Sequence, residues 1–125
     1  MRKTIHFTKA SWNENGMELH AETSVKMTGI QAAGQMIVDS DATAFVYLAE
    51  ENNEFMYLYI HETVWGDLQK ALEEEARLFA AGEDENLELI SWAEELAYLV
   101  SNIEGNSNYG EKMVERVEAV FFREQ

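Results

Sequence analysis

The sequence contains no cysteine and no proline, it is poor in basic residues, and it has no long apolar run. The lack of cysteine excludes disulfide bonds and thiolate metal sites. No segment approaches the roughly 18 apolar residues of a membrane-spanning helix. The basic residues within the segment 1–6 are not followed by the apolar stretch of a secretory signal. We therefore expect a cytoplasmic protein without a membrane partner.

The charge is strongly one-sided, because 24 acidic residues face nine Lys and Arg and give a formal net charge of −15. Proteins bind a phosphate backbone by replacing its counterions with clustered basic side chains. The basic side chains of this chain are too few and too scattered, so we predict no nucleic-acid partner. Acidity alone is typical of a soluble surface, and its more specific interpretations are a cationic partner or mimicry of nucleic acid.

The most apolar stretch, residues 43–65, predicts the centre of the fold. Two runs of strand-forming residues, 45–49 and 55–60, flank the polar turn 51–54. Two such runs around a short Asn-rich turn are typical of a β-hairpin. Neither run alternates strictly between apolar and polar residues. We therefore expect both faces of this hairpin to be covered, with the hairpin in the middle of a sheet.

A second hairpin is predicted at the start of the chain, where residues 4–8 and 17–22 alternate between apolar and polar. The turn between them contains an Asn-Gly pair, which is a common signal for a two-residue loop. A two-residue loop would place Ile5 on the face opposite Leu19. A three-residue loop, residues 14–16, or an equivalent bulge would keep both on one face. We expect the three-residue loop or the bulge.

Local patterns predict the elements around the central hairpin. Residues 24–34 could form a helical turn or a loop, and residues 35–38 predict a short strand. A helix should begin near residue 62 or 63, since apolar residues then recur at helical spacing. Residues 77–80 and 86–90 flank a polar run, which predicts another hairpin, although the first of these segments could also extend the helix.

Two further helices are predicted in the C-terminal third. Ser91 and Glu94 have the spacing of a capping box, and an apolar stripe begins at Trp92. Gly105 is placed to end this helix. Asn108 is the expected N-cap of the last helix. The short link between the two helices predicts an αα-hairpin.

These patterns predict an α+β protein in which residues 1–125 form a single domain. Its sheet should be a mainly antiparallel meander of about five to seven strands. About two or three helices should cover one face of the sheet, the last two of them as an αα-hairpin. A chain of this length can bury roughly two-thirds of its unfolded surface, which is enough for an independent core.

No constellation of residues predicts a metal, a cofactor or a catalytic centre. The three histidines, His6, His20 and His61, have neither helical metal-ligand spacing nor a cysteine partner. Residues 39–50 place oxygen ligands at several positions of an EF-hand loop but have Ala44 where that loop needs glycine. We predict no metal, no cofactor and no catalytic residue. Enzymatic activity stays open but is not favoured.

Two regions could bind a ligand. Residues 105–110 precede the last helix, and free backbone N–H groups at a helix N-terminus can hold an anion or a small polar molecule. The same loop is also explained as a simple helix cap. A residue directly after the central strand and two hairpin tyrosines could line a pocket, although packing is the alternative role of the tyrosines. The candidate residues are His61, Tyr47, Tyr59, Asn106, Asn108 and Tyr109.

Three segments carry a resemblance to a known family: residues 34–48 (GQMIVDSDATAFVYL), 62–65 (ETVW) and 94–115 (EELAYLVSNIEGNSNYGEKMVE). Together they resemble the YjbL-like family of small uncharacterised cytosolic proteins from Bacillus-type bacteria. The similarity extends from about residue 35 to the C-terminus, with a looser N-terminal hairpin, and GNSNYGE is its most distinctive piece. The resemblance implies a bacterial cytosolic protein and brings no activity, cofactor or catalytic residue with it.

Two functions from different classes follow from these observations. The first is a non-catalytic protein-interaction module that binds a protein, either a second copy in a homodimer or a basic partner. The second is a small-ligand-binding protein or an enzyme with a pocket between the sheet and the C-terminal helices. An exposed apolar patch would favour the first function. One concave site that gathers the candidate residues would favour the second.

Overall fold

A computed structural model describes residues 3–122 of the protein. The strands are β1 Lys3–Asn13, β2 Gly16–Ala21, β3 Gln31–Asp39, β4 Ala44–Glu51, β5 Glu54–His61, β6 Leu78–Ala80 and β7 Leu87–Glu88. The helices are α1 Trp65–Glu73, α2 Trp92–Ile103 and α3 Glu111–Phe121, and 3₁₀ turns at Glu62–Val64 and Ser107–Tyr109 precede α1 and α3. The predicted α+β class is confirmed. Residues 1–2 and 123–125, which the single-domain prediction included, lie outside the described residues.

All seven strands belong to one curled sheet with the order β3-β4-β5-β1-β2-β6-β7. Four neighbouring pairs are antiparallel, and two pairs, β1 with β5 and β2 with β6, are parallel. The predicted sheet of mainly antiparallel strands is confirmed, but the meander order is wrong. The first hairpin is inserted between β5 and β6 because β1 pairs along the free edge of β5, a long-range contact that local patterns do not report.

The strands β4 and β5 form the predicted central hairpin. Their pairing ends at Glu51 and Glu54, so Asn52 and Asn53 alone form the turn. The φ angles of these two residues, 54° and 66°, are left-handed, as a type I′ turn requires. Asparagine is one of the few residues other than glycine that visits this conformation readily. The strands β6 and β7 also pair as an antiparallel hairpin, as predicted.

The first hairpin keeps its apolar residues on one face through a bulge and not through a three-residue loop. Asn13 pairs with Gly16, which leaves a two-residue loop. The pairing shifts after Phe7, so Thr8 is bulged and Phe7 returns to the apolar face. Gly16 has a φ of 141°, and a side chain at this position would collide with the carbonyl of Arg77. The close approach of the backbone at Gly16 to the backbone at Arg77 therefore requires glycine there.

The three helices pack on one face of the sheet, which we call the inner face. The ring of Trp65 is fully buried there, with its centroid 4.8 Å from that of Phe45 and 5.9 Å from that of Phe121. The other buried apolar side chains of the helices are Leu68, Ala71, Trp92, Leu96, Val100, Ile103, Met113 and Val117. The prediction that helices cover one face is confirmed. The αα-hairpin arrangement of α2 and α3 stays a prediction.

The edge strand β3 is protected by α2 and by the segment before it. The main-chain N–H of Met36 donates to Glu95 of α2 at 2.9 Å. The hydroxyl of Tyr47 accepts from the N–H of Gly34 at 3.1 Å and donates to the carbonyl of Ile90 at 2.6 Å. These bonds satisfy groups that an edge strand would otherwise present for pairing with another chain.

Gly105 follows the C-cap of α2 with a left-handed φ of 65°, as predicted, but the two predicted N-terminal caps are wrong. Ser91 does precede α2, but its φ of 61° is left-handed and its side chain makes no capping hydrogen bond. The carbonyl before it is held by Tyr47, so the chain does not enter α2 in the extended conformation that a capping serine needs. Gly110 rather than Asn108 precedes α3. The side-chain cap lies earlier, where Asn106 accepts from the N–H of Asn108 at 3.1 Å.

The segment between β2 and β3, residues 22–30, is a loop held by one distant carboxylate. The hydroxyl and the N–H of Thr28 and the N–H of Met27 all donate to Asp84. These bonds, that of the Thr28 hydroxyl first, hold the pKa of Asp84 well below its usual range. The strand β3 begins at Gln31, earlier than the predicted strand, because its pairing with β4 continues through a bulge.

Candidate functional site

The face of the sheet opposite the helices is the candidate site. We call it the outer face and define it as the outward side chains of β3, β4, β5 and the first half of β1. The strand register arranges these side chains in four rows: Asp39, Ala44 and His61; Ile37, Val46, Tyr59 and His6; Gln35, Leu48, Tyr57 and Thr4; Gln31, Glu50 and Phe55. Among residues 3–122, no helix contributes to the cluster of side chains buried on this face.

One half of the outer face is covered by its own side chains. The hydroxyl of Tyr59 donates to Asp39 at 2.9 Å, so this side chain reaches across β4. Ala44 and Val46 lie on β4 beneath this bridge, and both are fully buried. This half of the central hairpin is therefore covered on both faces, as expected.

The rest of the outer face is partly exposed and mixes apolar with polar side chains. Phe55 has 47% of its surface exposed and Ile37 has 40%. Tyr57, in the row between them, is partly exposed. The expectation that both faces of the hairpin are covered is wrong at Phe55, which is exposed. Exposed apolar side chains gathered within a polar rim are a feature of interaction surfaces.

His6 and His61 form a pair beside the buried half. Nδ1 of His6 lies 2.7 Å from Nε2 of His61, so the two rings share a hydrogen bond. The ring centroids are 5.0 Å apart, and the ring of Tyr59 lies 4.8 Å from that of His6. A hydrogen bond between two imidazoles requires one nitrogen without a proton, so at least one ring of the pair is neutral.

The surroundings favour the neutral form of His61. Burial is the main cause that lowers its pKa, and the positive charge that His6 can carry lowers it further. The carboxylate of Asp39 acts in the opposite direction. His61 therefore takes up a proton only at a pH below the ordinary histidine range.

The predicted ligand-binding residues do not gather in one place. Tyr59 and His61 lie together on the outer face, with ring centroids 6.0 Å apart. Tyr47 lies on the inner face, where it is fully buried and bridges β3 to the start of α2. Burial raises the pKa of Tyr47 to about 12, so its hydroxyl stays protonated and can donate. The other three candidates lie outside the sheet, in the turn before α3.

That turn uses its own polar groups for capping. The side chain of Asn106 accepts from Asn108 and donates to the carbonyl of Asn102 at 3.2 Å. The N–H of Gly105 donates to Glu118 of α3 at 2.8 Å. Tyr109 packs against the inner core. Ligand binding by Asn106, Asn108 and Tyr109 stays a prediction.

Two further features of the described residues concern the kind of site. Within residues 3–122, no group of three or more His, Asp or Glu side chains is arranged to hold a metal ion. None of the helices in the same range is long and apolar enough to cross a membrane. The features of the outer face that bear on function are its exposed apolar side chains, its carboxylates and its histidine pair.

Fold and site together define an α+β protein with a curled, mixed seven-stranded sheet, three helices on the inner face and a partly exposed apolar outer face. Residues 5–121 match UPF0738, a family of unknown function, and the chain belongs to this family. A UPF0738 protein of Anoxybacillus flavithermus is 42% identical over 117 residues, which cover 94% of this chain and 85% of that protein. UPF0738 proteins of Bacillus cytotoxicus and Bacillus pumilus are 36% and 37% identical, over 97% of this chain and 99% of each relative. No solved structure is significantly similar.

These matches confirm the resemblance to a small uncharacterised family of Bacillus-type bacteria. The family brings no assigned residue, so the site rests on the structure. Sequence reasoning missed four of its residues, His6, Asp39, Ile37 and Phe55. A signal for Phe55 was available, since the odd positions of β5 are aromatic or histidine and the even positions are aliphatic apart from Glu54. The partner of His61 lies 55 residues away and could not be found from spacing.

Proposed function

We propose that this protein is a non-catalytic protein-interaction module of the cytoplasm, folded as one domain, and that the outer face is its docking surface. One observation carries the proposal: Phe55 and Ile37 are 47% and 40% exposed on a sheet face that no described helix covers. Burying apolar surface contributes roughly 25 cal/mol per Å². A partner that covers these two side chains would gain this stabilisation.

The composition of the outer face supports a protein partner. Aromatic side chains dominate the residues that carry binding energy in protein interfaces, and β5 presents the exposed ring of Phe55 outward. The surrounding charge is acidic, from Asp39 and Glu50. A basic partner is favoured over a second copy, because two chains with a net charge of −15 each repel one another.

The proposal is tested by affinity purification from a Bacillus lysate with three immobilised forms of the protein. The first is the wild type. The second carries Phe55→Ser and Ile37→Ser on the outer face. The matched control carries Ile90→Ser and Tyr98→Ser, two apolar side chains that are 54% and 68% exposed elsewhere. Each protein retained by the wild type is then purified, and its binding to all three forms is measured by calorimetry.

We expect one protein to bind the wild type and the control with the same affinity and the outer-face variant at least tenfold more weakly. That factor corresponds to the loss of about 1.4 kcal/mol. Sedimentation velocity of the wild type alone reveals whether the partner is a second copy. If the outer-face variant binds every partner as the control does, and has the same mass in solution, the docking surface lies elsewhere and the proposal is wrong.

A second candidate function is the binding of a small polar ligand beside His6. A cavity of about 390 Å³ is lined by Thr4, Ile5, His6, Thr8, Ala21, Glu22, Thr23 and Val25. The hydroxyl of Thr8 is buried and has no hydrogen-bond partner within the described part of the chain, so a polar ligand atom could satisfy it. Native mass spectrometry should then find an adduct on the wild type that Thr8→Val loses. An adduct on neither form would remove this candidate.

A further inference from the structure

An aromatic ring and a carboxylate lie side by side at the exposed end of the outer face. Glu50 of β4 lies directly opposite Phe55 of β5, and both side chains are exposed. The Cβ atoms of directly opposite residues are about 4.5–5.5 Å apart, so one incoming group can contact both side chains. No residue within 3–122 forms an ion pair with Glu50.

The charge at this end calls for a cation. Glu51 and Glu54 alternate with Glu50 and Phe55 along the strands, so they belong to the other face, where the amine of Lys3 lies 3.1 Å from Glu51 and 3.9 Å from Glu54. Lys3 therefore pairs with these two carboxylates and not with that of Glu50. The strands β3, β4 and β5 contain no Lys or Arg at all. A second copy of the chain would therefore bring no cation from these strands, and its carboxylates would repel those of the first copy.

A guanidinium group fits the ring of Phe55 and the carboxylate of Glu50 better than an ammonium group does. Guanidinium is planar, stacks on an aromatic face and can donate two parallel hydrogen bonds to one carboxylate. Ammonium is a compact and strongly hydrated charge without this geometry.

We propose that an arginine side chain of a basic partner protein docks on the outer face, with its guanidinium stacked on Phe55 and paired with Glu50. This inference rests on the proposed function, since it names the chemistry of the partner that the docking surface takes. The exposed side chain of Ile37 contacts apolar residues beside the arginine in the partner.

The test compares hexa-arginine and hexa-lysine peptides by NMR titration of the full chain at about 0.15 M salt, where charges more than about 8 Å apart are screened. Four substitutions are used. Phe55→Leu keeps an apolar side chain but removes the ring, and Glu50→Gln removes the carboxylate. Glu115→Gln removes an exposed carboxylate from α3 and is matched to Glu50→Gln in total charge. Tyr98→Leu removes an exposed ring elsewhere.

Hexa-arginine should shift the amide resonances of Glu50, Phe55 and Tyr57 more than those of other acidic surfaces. Phe55→Leu and Glu50→Gln should each weaken its binding by about two- to fivefold, the range expected for an exposed cation–π contact or ion pair. Glu115→Gln and Tyr98→Leu should leave the affinity unchanged within a factor of about 1.5. Hexa-lysine should bind more weakly than hexa-arginine and should not respond to Phe55→Leu.

The inference is wrong if Glu50→Gln and Glu115→Gln weaken binding equally, because the peptide then responds only to total charge. It is equally wrong if hexa-lysine binds as tightly as hexa-arginine and Phe55→Leu has no effect. The affinity purification separates this failure from that of the proposed function. If the variant with Phe55→Ser and Ile37→Ser no longer binds the partner, the docking surface is supported and only the assignment of arginine is wrong. If the partner is retained, both fail.

Discussion

The hydrogen bonds of Tyr47 give the sharpest test of how the edge strand β3 is held to the segment before α2. Phe in place of Tyr47 keeps the buried ring and removes only the hydroxyl, which bonds to Gly34 at 3.1 Å and to Ile90 at 2.6 Å. A buried polar group left without a partner costs about 1–3 kcal/mol. Neither Gly34 nor Ile90 is fully buried, so water can replace part of the loss. We expect Tyr47→Phe to lower the free energy of unfolding by about 1.5–3 kcal/mol in total.

The measurement is urea unfolding at pH 7, followed by tryptophan fluorescence and by circular dichroism. Each kcal/mol should lower the melting temperature by about 3–6 °C for a chain of this size. Tyr98→Phe is the matched control, because it removes the same hydroxyl from a side chain that is 68% exposed. Its effect should stay within about 0.5 kcal/mol. If the two variants are equally stable, the Tyr47 hydroxyl does not hold the edge of the sheet and the reasoning is refuted.

Three further predictions concern pH and backbone geometry, and urea unfolding checks each. The pKa of His61 is lowered from 6.5, so its contribution to stability is present above pH 6.5 and is lost as the pH falls through the lower value; His61→Asn should flatten this dependence, and an unchanged pH profile would contradict it. The pKa of Asp84 is lowered from 3.8, so its contribution is present above that pH and is lost on further acidification. Asp84→Ala should lower the urea midpoint at pH 7, with a difference from the wild type that shrinks below pH 3.8; a constant difference would argue against this. Gly16→Ala should lower the free energy of unfolding by about 1–3 kcal/mol, since its methyl group meets the carbonyl of Arg77 and its φ is unfavourable. A neutral effect would mean that the backbone segments at Gly16 and Arg77 can move apart at little cost.

Local signals predicted the elements of this fold well. The central hairpin follows from its strand-forming runs and its Asn-Asn turn, and each helix follows from the spacing of its apolar residues. The caps were less predictable, because the conformation of Ser91 depends on a carbonyl that a distant tyrosine holds. The strand order was not predictable, because the parallel pairing of β1 with β5 joins segments about 50 residues apart, and nothing in either segment reports the other.

The site was predicted only in part for the same physical reason. The outer-face positions of Tyr59 and His61 follow from one strand, but the hydrogen bonds to Asp39 and His6 cross the sheet. Tyr47 is the direct neighbour of the outward Leu48 in sequence, but one step along a strand reverses the face, so Tyr47 belongs to the inner core. The exposure of Phe55 depends on where the helices pack, and all three pack on the inner face.

The docking role of the outer face is the central claim, and photo-crosslinking in living cells tests it most directly. A photoreactive phenylalanine analogue is placed at position 55 in one strain and at position 98 in another, both exposed positions in the structure. We predict a crosslink to one basic protein from position 55 and not from position 98, and the purified protein should bind the wild type and not the Phe55→Ser, Ile37→Ser variant. No crosslink from position 55, or the same products from both positions, would contradict the claim.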